Sequence, residues 1–118
     1  MFVHEDSRRK LIEWATGSFK VCKALIAKEN CIVGDHYHRN KDESFLLLIG
    51  KAIYVVIGNE TWGNIDAPYV WNVPRGSYHR FEFTPGSVLI GVGTEEFDEA
   101  DEIRGRPEID LTAEQPVA

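Results

Sequence analysis

The chain has 118 residues, 43% of them hydrophobic and 11% aromatic, which is enough for one packed core and too short for two. That composition excludes a disordered chain, and no apolar run approaches the ~20 residues that cross a bilayer. The net charge of −6 is concentrated at the C-terminus: residues 94–118 carry −7 and residues 1–93 carry +1, so no basic nucleic-acid footprint exists.

The first ten residues are charged and no apolar stretch follows them, which predicts no secretory leader and a soluble, cytoplasmic protein. Residues 7–14 read as a short helix or an edge strand. Residues 19–27 are rich in strand formers. Cys22 and Cys31 then read as reduced, buried small hydrophobes. Residues 45–49 and 52–57 are two apolar runs joined by Gly50-Lys51, which predicts a hairpin. Residues 69–73 form a further strand, closed by the turn Pro74-Arg75-Gly76-Ser77. His79, Phe81 and Phe83 alternate with Arg80 and Glu82, so one face of that strand is apolar plus imidazole and the other is charged. Residues 88–92 are the last strand. Residues 95–103 read as one or two helical turns, and the acidic stretch 107–118 as a poorly ordered tail. Seven or eight short strands at close spacing predict an all-β antiparallel barrel or sandwich with short helical or irregular termini, in a single domain over residues 1–106.

Chemistry concentrates in Gly34-Asp35-His36-Tyr37-His38 and the residues that follow. On a strand His36 and His38 project from one face. Glu43 shares its parity with Phe45, Leu47 and Ile49, so its carboxylate enters the interior those side chains fill. Asp42 is the rival carboxylate, but its parity points it away. His79 opens an inward-facing row. Three imidazoles and a carboxylate suit one first-row divalent ion (Fe, Mn, Ni, Co, Cu or Zn) and leave it positions for a ligand.

His36-x-His38-x4-Glu43-x6-Gly50 resembles the first motif of the cupin superfamily, and Pro74-x-Gly76-x2-His79 resembles its second. The resemblance covers about residues 31–83. It implies a jelly-roll (double-stranded β-helix) barrel with His36, His38, Glu43 and His79 as metal ligands, a small molecule bound in the barrel, and a homodimer. Two positions depart from the pattern. Gly34 lies only two residues before His36, and Phe83 stands where the second motif often has Asn; both change the pocket and not the donor set.

Three functions follow as alternatives. The first is a metal-dependent isomerase or epimerase acting on a sugar or sugar phosphate, with Glu43 or Tyr54 moving the proton. The second is a non-catalytic module binding a sugar or carboxylate, and the third a small iron-dependent dioxygenase. Tyr37, Tyr78, Arg75 and Trp71 are further candidate ligand contacts. Tyr37 and Tyr78 have the parity that points outward, whereas Tyr54 can point inward. No nucleic-acid or membrane partner is expected.

Overall fold

Period-two alternation of apolar and polar residues becomes eleven strands, and the described residues contain no helix. The computed structural model describes residues 1–106; the acidic tail expected over 107–118 lies outside the described residues. In chain order the strands are β1 (Phe2–Glu5), β2 (Lys10–Glu13), β3 (Val21–Ile26), β4 (Cys31–His38), β5 (Glu43–Ile49), β6 (Lys51–Ile57), β7 (Glu60–Asp66), β8 (Tyr69–Val73), β9 (His79–Phe83), β10 (Val88–Gly93) and β11 (Glu102–Arg104).

Two antiparallel sheets face each other, with strand orders β3-β10-β5-β8 and β11-β4-β9-β6-β7. This is the jelly-roll architecture expected from the motifs. Their inner faces supply the core, which includes Phe45, Leu47, Val55, Trp71, Phe81, Phe83 and Leu89. β1 and β2 form a separate two-stranded ribbon. Its turn is closed by the Asp6 carboxylate, which accepts from the backbone N–H groups of Arg8 and Arg9 at 2.8 and 3.0 Å.

Of the two readings of residues 7–14 the edge strand holds, since they contain β2 of the two-stranded ribbon. Three expectations need correction. Residues 95–103 lack a helix: turn residues lead into β11, which pairs with β4. Gly50-Lys51 is not a hairpin turn, because β5 and β6 belong to opposite sheets. Gly50 adopts φ 97 and packs so tightly on Ser87 that a Cβ would fall 2.3 Å from its Oγ. Only glycine makes that corner. Lastly, Cys22 is exposed, since β3 is an edge strand with one face in solvent, and Cys31 at the start of β4 is only half-buried against the core.

One irregularity sets the site. The β4–β9 register shifts between Gly34 and His36, where Asp35 has φ 63. Before this bulge Cys31 and Val33 stand opposite Phe83 and Phe81; after it His36 stands opposite His79. The extra residue turns the imidazoles onto the same inner face as Val33. Gly34 has no room for a side chain there, as its Cβ would lie 2.7 Å from the His79 carbonyl oxygen.

Candidate metal centre

β4 delivers His36 and His38, the first residue of β5 is Glu43, and the first of β9 is His79. Each offers one donor atom, and these four atoms lie within 4.8 Å of one another. The Gly76 N–H donates to the His38 carbonyl oxygen at 2.6 Å, so the second motif's turn is stitched to the first motif's strand. Gly76 has φ 81, as a turn of this kind requires.

The cluster is deeply buried, with Glu43 and His79 side chains 2% and 3% exposed. Glu43 Oε1 lies 3.2 Å from His38 Nε2 and 3.7 Å from His79 Nε2. Yet Glu43 Oε1 and both His38 nitrogens make no well-formed hydrogen bond among the described residues. Buried polar atoms normally find partners, and converging donors of this type are completed by a cation. Protonation states agree with that reading. Burial pushes the Glu43 carboxyl up, but the His38 contact and the Lys23, His79 and His38 charges outweigh it and hold it at about 2. Burial drives His79 down to about 3 and also lowers His36. At neutral pH Glu43 is therefore an anion and the His36 and His79 imidazoles are neutral, the state in which these groups bind metal.

Two carboxylates that the sequence pattern did not single out stand behind the histidines. Glu102 Oε1 is 2.8 Å from His36 Nδ1, and Asp101 Oδ2 is 3.4 Å from His38 Nδ1. Asp101 is itself fixed, accepting from the Asn40 backbone N–H at 2.7 Å. Neither contact has hydrogen-bond geometry among the described residues, but each puts a negative charge behind its ring, the side from which carboxylates orient imidazole ligands. No local signal in a stretch of scattered acids marks these two out; only the β11–β4 pairing brings them here.

A cavity of about 150 Å³ opens beside His36 and His79. Its walls are mainly apolar, with Leu25, Val33, Phe45 and Leu89 among them. Among the described residues Lys23 is the one charged residue lining it, and its Nζ lies 3.3 Å from Glu43 Oε2. The sequence reading missed Lys23, which lies on a strand whose pattern says nothing of its neighbours.

The other candidates fall elsewhere. Tyr54 does not point inward. The β6–β9 register shifts between Ala52 and Tyr54, so Ala52, Val55 and Ile57 take the inner face and Tyr54 is 43% exposed. Tyr78 was expected to face outward and instead is buried. Its hydroxyl donates to Asp35, the Arg106 guanidinium lies over its ring, and burial and Asp35 push its hydroxyl up to about 12. Tyr37 pairs with Ile103 and is half-buried. Asp42 turns away from the cluster to meet Arg75 at 3.0 Å. Trp71 is in the core, separated from His79 by Phe81.

No protein-family model and no curated protein matches this chain. Solved structures do. A 3,4-ketoisomerase from Helicobacter canadensis superposes with TM-score 0.72 at 17% identity, covering 87% of this chain and 85% of its own. The QdtA 3,4-ketoisomerase from Thermoanaerobacterium thermosaccharolyticum, as a double mutant in complex with TDP, gives 0.71 at 25% identity, covering 88% and 83%. The RmlC epimerase of Mycobacterium tuberculosis gives 0.73 at 15%, covering 86% and 64%. Likeness at such low identity establishes architecture. The chain folds as a jelly-roll barrel of the cupin type.

Proposed function

We propose that this protein is a divalent-metal-binding cupin that acts as an isomerase or epimerase on a carbonyl-bearing sugar. The observation that carries the metal is the convergence of His36, His38, Glu43 and His79 within 4.8 Å, buried and short of hydrogen-bond partners. The reaction class is supported by the names of the structural neighbours, which are 3,4-ketoisomerases, the sugar 3,4-ketoisomerase QdtA among them, and the RmlC epimerase.

A bound ion would supply Lewis acidity toward a substrate oxygen. The chain's own residues supply the rest. Glu43, ionised, compensates positive charge, and the apolar walls keep water from the reacting atoms. Isomerases and epimerases move a proton on and off carbon beside a carbonyl, which needs an acid–base group outside the donor set. Tyr54 is too far out to serve, and Glu43 is committed as a ligand. Lys23 supplies the acid half of that exchange: its ammonium lies at the cavity mouth, 3.3 Å from Glu43 Oε2, where it can donate to the enolate oxygen while the carbon proton passes to solvent. The cavity admits a single small ring or chain. Any larger part of a substrate would lie outside it. Binding of a small carboxylate is the second reading, favoured by the apolar walls, which offer few partners for hydroxyls.

Elemental analysis of purified protein is expected to find about one equivalent of a first-row divalent metal. Exchange of substrate C–H for deuterium from solvent, screened over keto sugars and their nucleotide derivatives, tests the reaction. Exchange lost in Lys23→Met with metal content intact supports the assignment. Stoichiometric metal with no exchange on any sugar leaves the carboxylate reading in its place, and absence of metal sinks the donor set.

A further inference from the structure

On the opposite seam of the barrel, the edge strands β7 and β8 flank a groove of about 570 Å³. Sites for small molecules run to about 300–1,000 Å³, so this groove is of ligand size. Aromatic rings form its apolar wall. Tyr69 and Trp71 share one face of β8 with ring centroids 4.8 Å apart, and Trp62 of β7 meets Trp71 edge-on at 6.5 Å. Polar groups stand beside them: Asn59 and Glu60 near the β6–β7 turn and Asn72 on β8, all exposed.

Two observations point to a ligand. Trp71 is 3% exposed, and its Nε1–H has no hydrogen-bond partner among the described residues. Buried indole N–H groups ordinarily find an acceptor. Second, the Asn72 Oδ1 accepts from Ser44 Oγ at 2.8 Å, which leaves its NH2 group free to donate.

We infer that the β7–β8 groove binds a neutral hexopyranose unit of a saccharide. The C–H face of a pyranose packs on aromatic rings, here Trp62 and Tyr69. Its hydroxyls both donate and accept, which matches an indole N–H, two amides and a carboxylate. Charge excludes the nearest alternative. No Lys, Arg or His lines the groove among the described residues, and Glu60 repels a phosphorylated or acidic sugar. Phe81 lies between Trp71 and the His79 ring, and none of the four metal-centre residues lines the groove among the described residues.

Maltotriose and cellotriose, titrated into the full chain, test it through tryptophan fluorescence and the indole N–H resonances. The expected result is saturable binding of at least one of them, with the Trp71 N–H signal shifted. Trp71→Phe keeps a ring and removes the donor, and Glu60→Ala alters only an exposed side chain; each is expected to weaken binding about five-fold. His38→Ala is expected to leave it unchanged, so failure here and failure of the metal reading are told apart. The inference is overturned by no saturation below about 10 mM of either sugar, or by binding that both variants retain in full. A dimer in sedimentation that Trp62→Ala dissociates would also overturn it, since a second copy would then cover the groove.

Discussion

His36 and His38 lean on carboxylates at their β11 side, while at the β3 side the same imidazole cluster faces a small, mainly apolar cavity. Glu102 and Asp101 back the rings from one direction; from the other stand Leu25, Val33, Phe45 and Leu89, with Lys23 the one charged side chain among the described residues there. The difference shows how the barrel divides labour. In the proposed site, fixed negative charge would orient the donors from one side, and the apolar walls would shield the side open to a ligand.

The sharpest way to break this arrangement is His38→Ala, which removes a donor from the middle of the cluster. Metal content measured by mass spectrometry is expected to fall to a small fraction of an equivalent. Full occupancy in that variant would mean His38 is not a ligand. A subtler attack comes from behind. Asp101→Asn keeps size and loses charge, and is expected to weaken metal affinity about 10- to 100-fold while the metal-free protein melts near the parent temperature. The absorption spectrum of the cobalt-loaded form should shift as the His38 ring is released. An unchanged affinity and spectrum would make Asp101 a purely structural residue.

Acid sharpens the comparison from the other side. His79 is held at about 3 against an ordinary 6.5, so in the folded state it refuses a proton that the unfolded chain accepts. Stability of the metal-free protein should fall as pH drops through 6.5, and go on falling toward about 3. Glu43 adds to the loss as pH falls from 4.5 toward 2, because its folded carboxyl titrates at about 2. Melting followed by circular dichroism over that window, with chelator present, checks the sign. A melting temperature that rises on acidification would contradict it. The smallest effect belongs to Asp42→Ala. Its pair with Arg75 is largely exposed, and losing it should cost less than about 1 kcal/mol and leave metal content unchanged. Lost metal there would reopen the choice between Asp42 and Glu43.

Strand character and the grouping of His36, His38, Glu43 and His79 were legible because both rest on local periodicity. His36 and His38 two residues apart, and Glu43 in step with Phe45 and Leu47, need no knowledge of the rest of the chain to be placed on common faces. Tertiary structure alone decided what lies more than one strand away. The bulge at Asp35 adds a residue that period-two counting does not see, and a similar shift before Tyr54 turned that side chain outward against expectation. Gly50 looked like a hairpin turn because glycine marks any sharp bend; that it crosses between sheets follows from its fit against Ser87, 37 positions later. Asp101, Glu102 and Lys23 reach the site through β11–β4 and β3–β10 pairing, and nothing near them in the chain carries the register of those pairs. Side-chain parity is written by the backbone's own geometry, whereas neighbourhood across strands is fixed only when the whole apolar face is buried at once.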